Sequence, residues 1–284
     1  MNNHTVVINA DDFGLHPAVN RGIVRAYREG IVTSTSVMAC GDAFEDAVQR
    51  LRGCPGLGVG IHLTLVEERP VLAPSRIPSL VDAQGRMPRS YYGFTQRWLS
   101  RRIRPSEVRC ELEAQIQRVR EAGIHPTHLD SHQHVHSLPG VWPMVVELAR
   151  AYQIPYVRLP RFDTIWGINR SMLEPALRCG MNWLAYLRLH HRWPAAVQRV
   201  DRVLGLSCSG RITSATLQGL LGRNLSSGVN ELLVHPGERD EDLYRRYAHW
   251  KRFDWSAELS AVMDPQIKAL CHNRGVRLTH FGMA

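Results

Sequence analysis

TVVINADDFGLHPAVNRGIVRAYREGIVTSTSVMA, residues 5–39, holds one strand–helix–strand unit. Thr5–Ala10 is a short run of apolar and β-branched side chains and reads as a buried strand. Pro17–Arg28 carries helical periodicity, with Pro17 near its first turn and Gly30 as the stop. Ile31–Ala39, rich in Val, Thr and Ser, reads as a second strand. The alternation continues along the chain. Strands are expected at Gly58–Leu65, Thr127–Ser131, Pro155–Leu159, Glu231–His235 and Val276–His280. Helices are expected at Ala43–Arg52, from a Ser106 cap through Ala122 to Gly123, at Gly140–Tyr152 and at Asp240–His249. This order predicts an α/β protein in which helices pack outside a parallel sheet. About seven strands in 284 residues suit a single (β/α)-barrel domain spanning the chain, with an open doubly wound sheet as the alternative.

Two stretches interrupt the pattern and read as long insertions. Residues 66–105 are Pro-rich and basic. Arg86, Arg89, Arg97, Arg101, Arg102 and Arg104 occur there with no acid between Asp82 and Glu107. Residues 161–206 are also basic and carry Trp166, Trp183, Tyr186 and Trp193. Such segments can wall a substrate site or face lipid; the plainer reading is ordinary packed helices.

Composition sets bounds on function. The hydrophobic fraction of 44% is enough for a large core and excludes disorder as the default. The net charge of +9 comes from 33 arginines and only two lysines, Lys251 and Lys268. Arginine suits phosphate and carboxylate recognition, but genome base composition also favours it. With no RNA-recognition or zinc-finger pattern, no specific nucleic-acid partner is expected. No apolar run approaches the roughly 18 residues of a membrane span. The start lacks a basic and then apolar leader, so a cytoplasmic location is expected. The six cysteines form no C-x-x-C pair and are expected to be buried thiols.

Four strand ends carry chemistry. Asn9-Ala10-Asp11-Asp12-Phe13-Gly14 places two adjacent carboxylates at the C-terminal end of the first strand, where α/β folds hold their sites. Their repulsion is relieved by a cation, although Asp12 could instead form an Asx turn or helix cap. His62, in Gly60-Ile61-His62-Leu63-Thr64, lies at the third strand end and could equally be structural. Thr127-His128-Leu129-Asp130-Ser131-His132-Gln133-His134-Val135-His136 packs four histidines and an aspartate into ten residues. His128, Asp130 and His132 share one face if the strand extends that far. His235, in Val234-His235-Pro236-Gly237, ends another strand. Together they describe one divalent ion held by Asp and His side chains, with open positions for water and substrate. The absence of flavin, nicotinamide or haem patterns favours hydrolysis over redox chemistry.

At these residues the chain resembles the YdjC-like carbohydrate deacetylases, the group that includes chitooligosaccharide deacetylase. The matching pieces are VVINADDFGLHPAVNRGIVRAYREGIVTSTSVMA, GLGVGIHLTL, PTHLDSHQHVH, Arg158-Leu159-Pro160 and LLVHPG. HLTLVEERPVLAPSRIPSLVDAQGRM and GLSCSGRIT look closer to the hopanoid-biosynthesis branch, which acts on a glycolipid, whereas the histidine cluster departs from that branch. The resemblance implies a seven-stranded barrel that removes acetyl from an N-acetylated amino sugar, oligosaccharide or glycolipid. It implies Asp12, His62 and His132 as ligands to Mg2+ or Zn2+, with Co2+ or Mn2+ also compatible with histidine donors. Asp11 would be the base, His235 the acid, and Arg158 would orient Asp11. His128, Asp130, His134 and His136 would support the ligands or contact substrate. Peripheral membrane contact and a homodimer are further expectations. The rivals are another metal hydrolase on this scaffold, such as a deformylase or phosphoesterase, and a non-catalytic glycan- or lipid-binding protein.

Overall fold

The strand β1 (Thr5–Phe13) runs through the middle of the sheet, and all nine of its residues are buried. Burial of both faces explains why its first half is a continuous apolar run rather than an alternating one. The computed structural model describes residues 4–159, 197–223, 225–251 and 253–284. Most of the second insertion, with Trp166, Trp183, Tyr186, Trp193 and Cys179, lies outside the described residues.

On one side of β1 follow β2 (Ser34–Val37), β3 (Gly58–Leu63), β4 (His128–Ser131) and β5 (Tyr156–Val157). On the other side lie β7 (Val229–Val234) and then β6 (Arg202–Leu204). All these pairings are parallel. A last strand, β8 (Arg277–Thr279), pairs with Thr5–Val7 of β1, below the point where β2 joins from Asn9 onward. A single parallel bridge from Tyr156 to Gln198 brings the β5 edge against the chain that enters β6. The sheet therefore curls towards a barrel.

The seven expected strands are present; β1 runs on to Phe13 and β7 starts two residues earlier, at Val229, while the other five are shorter than expected. An eighth, β6, falls in the stretch read as insertion. Its three residues, between Asp201 and Gly205, are too few for a periodic signal.

The helices α1 (Pro17–Glu29), α2 (Phe44–Leu51), α3 (Tyr91–Leu99), α4 (Pro105–Glu121) and α5 (Val141–Ala151) precede the second insertion. After it come α6 (Ser214–Arg223), α7 (Glu241–Arg246), α8 (Trp255–Val262) and α9 (Pro265–Asn273). The cap of α1 is His16, whose Nδ1 accepts the Ala18 N–H at 3.1 Å, which leaves Asp12 free of capping duty. The expected Ser106 cap is corrected: α4 starts at Pro105 behind Arg104, and proline's fixed φ initiates the helix without a side-chain cap. The first insertion is strapped to α4 by two buried carboxylates. Glu111 accepts the N–H groups of Val71 at 2.9 Å and Leu72 at 3.0 Å. Glu107 accepts Ser79 N–H at 2.7 Å and its hydroxyl at 2.8 Å. Among the described cysteines Cys40, Cys54 and Cys271 are buried thiols, whereas Cys110 is exposed and Cys208 half-buried. No described helix is long and apolar enough to cross a membrane.

Helix α1 meets the turn after β7 at backbone distance. A Cβ on Gly22 would lie 2.4 Å from the Gly237 Cα, so only glycine allows this approach. Gly22→Ala is expected to cost about 1–3 kcal/mol through overpacking. Urea unfolding measures it, and a midpoint equal to wild type would contradict this contact.

Candidate metal centre and active site

A regular strand sends consecutive side chains to opposite faces. The Asp11–Asp12 pair escapes this rule through a bulge. Ala10 pairs with Thr35 and Phe13 with Val37, so β1 carries one residue more than β2 across this step. Asp12 takes the left-handed φ of +68°. Such bulges re-aim side chains beside active sites. Beyond it the chain is pinned by Met38 N–H on the Phe13 carbonyl at 2.7 Å and by Gly14 N–H on Asn20 Oδ1 at 2.6 Å. Both carboxylates reach the same cluster at the C-terminal ends of the strands.

Asp12 Oδ1 lies 3.2 Å from His62 Nε2 and 3.0 Å from His132 Nδ1. Each imidazole is held from its far side by another carboxylate. His62 Nδ1 is 2.8 Å from Asp130 Oδ1, and His132 Nε2 is 3.0 Å from Glu67 Oε2. An ionised carboxylate only accepts, so those outer nitrogens carry hydrogen and the inner nitrogens face Asp12. Burial opposes charge on both rings but is outweighed. Asp130 and Asp11 lift His62 to about 10, and Asp12 and Glu67 lift His132 to about 9. Burial likewise opposes ionisation of Asp12, yet His132 and His62 hold it well below the usual carboxylate range.

One ligand atom from each of Asp12, His62 and His132 lies within 4.8 Å of the others, all three residues being buried. Two oriented imidazoles and one carboxylate fit a divalent ion and leave coordination positions open. A second grouping, Asp11, His62 and Asp130, also meets that distance. It uses the His62 nitrogen already bonded to Asp130, and both of its carboxylates already face the Arg158 guanidinium. The Asp12 set is therefore the better ion seat.

Arg158, directly after β5, is 1% exposed and binds three carboxylates. Its Nη1 and Nη2 donate to Asp11 Oδ2 and Oδ1, each at 2.7 Å. Nη2 lies 2.8 Å from Asp130 Oδ2, and Nε and Nη2 donate to Glu231 Oε1 at 2.8 and 2.6 Å. Asn9 Nδ2 donates to Asp11 Oδ1 at 2.8 Å and to Ser36 Oγ at 2.7 Å, and Ser36 donates onward to Asp130 Oδ2 at 2.6 Å. Burial pushes Glu231 up to about 7 despite Arg158, and its Oε2 has no hydrogen-bond partner.

The other candidates occupy distinct places. The expectation that His128, Asp130 and His132 share one strand face is corrected. β4 ends at Ser131, and His132 opens a 3-10 turn in which Gln133 and His134 take φ of +51° and +56°. His132 reaches the cluster through that turn. His128 is buried with its ring 4.1 Å from Phe281 and its Nε2 3.1 Å from Ser36 Oγ. Burial lowers it to about 3, so it is neutral. His134 is outside the ion set; burial holds it well below its usual value, and its Nδ1 has no partner. His136 donates from Nε2 to the Arg158 carbonyl at 2.7 Å and bonds Ser131 through Nδ1.

His235 follows β7. Ala10 pairs with Val234, so His235 emerges beside Asp11. Its backbone N–H donates to Glu258 Oε2 at 2.6 Å, and the same oxygen stands 3.6 Å from its Nδ1. Burial opposes a charged ring, but Glu258, with Asp12 and Asp11 beyond it, raises its pKa.

Ser36, Glu67, Glu231 and Glu258 take part without having been singled out in the sequence. Only Glu231 carried a signal, as a charged residue inside an apolar strand.

The YdjC-like protein family profile matches residues 5–273. A carbohydrate deacetylase of Brevibacillus brevis is 45% identical over 278 residues, covering 97% of this chain and 98% of its own. A chitooligosaccharide deacetylase of Salmonella typhi is 32% identical over 261 residues, covering 82% and 96%. A crystal structure from Enterococcus faecalis V583, described as a candidate cellobiose-phosphate cleavage protein, aligns with a TM-score of 0.75 at 28% identity over 99% of this chain and 98% of its own. The matched span takes in β1 to β7 and every residue of the Asp12, Arg158 and His235 clusters, and the chain belongs to the YdjC-like family.

Proposed function

We propose that this chain is a metal-dependent carbohydrate N-deacetylase, which hydrolyses the acetamide C–N bond of an N-acetylated amino sugar, free or lipid-linked. The observation that carries the reading is the buried Asp12–His62–His132 cluster with Asp11 on one side and His235 at the neighbouring strand end. The names of the family relatives supply the substrate class. A divalent ion held by Asp12, His62 and His132 supplies Lewis-acid polarisation of a carbonyl and a lowered pKa for water. Two imidazole donors suit zinc, cobalt or manganese better than magnesium, which prefers an all-oxygen shell.

Asp11 acts as the base. Arg158 spans both its oxygens and Asn9 holds Oδ1, so the carboxylate cannot rotate while it takes a proton from the attacking water. His235 acts as the acid. Glu258, with Asp12 and Asp11 beyond it, shifts the ring towards its protonated form despite burial, and a proton passed to the departing sugar nitrogen spares an amide-anion leaving group. Arg158 and Glu231 position Asp11 and remain outside the bond changes.

Acetate release from N-acetylglucosamine oligomers and N-acetylglucosaminyl lipids tests the function, after chelation and again with each metal restored. Metal-dependent acetate is expected; formate or phosphate release instead would assign a different hydrolase. Asp11→Asn should keep metal content and lose roughly 10²–10⁴-fold in rate. Wild-type turnover in that variant would remove the base assignment.

The buried Glu231 also sets a pH dependence. Its folded pKa, about 7, exceeds the ordinary 4.5, so the folded state binds the extra proton. Its contribution is fully present below about pH 4.5 and is lost as the pH rises to about 7. Glu231→Gln should lose less stability than wild type across that window in chelator-treated protein. Parallel stability curves from urea unfolding at each pH would contradict this.

A further inference from the structure

Glu67 stands four residues beyond β3, at the start of the first insertion, with a left-handed φ of +69°. Non-glycine residues rarely occupy that region, and here the backbone is anchored by Glu67 N–H on the Pro88 carbonyl at 2.8 Å. The turn aims the carboxylate inward, where it is 8% exposed. Its two oxygens serve different parts of the molecule. Oε2 meets His132 Nε2 at 3.0 Å. Oε1 meets Trp250 Nε1 at 3.2 Å and His249 Nε2 at 3.2 Å. The Trp250 ring in turn lies over His132, with centroids 5.4 Å apart and planes 30° from parallel. The next residue repeats the link: Glu68 Oε1 accepts the Tyr247 hydroxyl at 3.0 Å.

We propose that Glu67 is a positioning residue that sets the tautomer and orientation of His132 for ion binding and fastens the 247–250 segment to that ligand. The proposal rests on the metal-centre reading above. With the Nε2 hydrogen committed to Glu67, Nδ1 is the ring nitrogen that faces Asp12 and His62 and the one that would give up its hydrogen for an ion. Trp250 blocks the ring from tilting away. Outer partners of this kind are typically worth 10–100-fold in metal affinity. Glu67 thereby gives His132 what Asp130 gives His62, but from a loop rather than from a neighbouring strand.

The test is zinc titration of chelator-stripped protein against a competing metal dye, in wild type, E67M and E67Q. Glu67→Met keeps bulk but has no oxygen acceptor; Glu67→Gln keeps one. E67M should bind zinc roughly 10–100-fold more weakly than wild type, and E67Q should recover part of the loss. The zinc-induced rise in the midpoint of thermal unfolding, read against each variant's own zinc-free midpoint, should shrink in E67M. Wild-type zinc affinity in E67M overturns the proposal, as does an equal loss in E67M and E67Q. Absence of zinc binding by the wild type overturns the metal-centre reading itself, and this proposal with it.

Discussion

The conformation of Asp12 governs the centre of this protein. A pleated strand gives one carboxylate per face, yet Asp11 must meet Arg158 while Asp12 meets His62 and His132. The extra residue in β1 and the positive φ of Asp12 resolve this conflict. Such a backbone costs on the order of 1–3 kcal/mol and persists only where its surroundings over-determine it. Here they do. Thr35 Oγ1 binds the Ala10 carbonyl at 2.7 Å before the bulge, and Leu15 N–H binds the Asp12 carbonyl at 3.0 Å after it. Asn20 then joins the turn to α1 and to the Ala43 carbonyl.

The second constraint is charge. Asp11, Asp12, Asp130, Glu231, Glu258, His62, His132 and Arg158 are all buried. Isolated ions would not survive there, because desolvation costs several kcal/mol each. The arrangement answers with alternation: each described carboxylate of the cluster faces a cation or a backbone donor, and Arg158 faces three carboxylates at once. Removing one member would leave its neighbours uncompensated, so the same contacts that orient Asp11 also make the core intolerant of substitution. Glu231 is the weakest link, with one oxygen unpaired and a pKa already raised by burial.

The sequence made the strand–helix alternation and the acidic and histidine-rich strand ends legible, because both are local patterns. Asp12, His62 and His132 come together in the structure, but the route of His132 was not readable: a strand face was expected where a left-handed turn delivers the ring. Ser36 and Glu258 escaped notice because nothing beside them in the chain distinguishes them from ordinary helix and strand residues. Their roles exist only once Ser36 lies against Asp130 and Glu258 beneath His235. Glu67 was hidden by its setting in a Pro-rich insertion with no period. β6 was hidden by its length.

Much of the site is written in the register of the sheet. His62 pairs with Asp130 across β3 and β4, and Ala10 with Val234 across β1 and β7. A slip of one residue in either ladder would turn the facing side chains away, so the hydrogen bonds that stabilise the sheet also set the site's internal distances. Barrel folds usually separate such a fixed centre from variable rim loops, which lets substrate preference change without loss of chemistry. Here Glu67 joins a rim loop to the His132 ring and to Trp250. A change in the 247–250 segment is therefore felt at the His132 imidazole, and rim and centre do not vary independently.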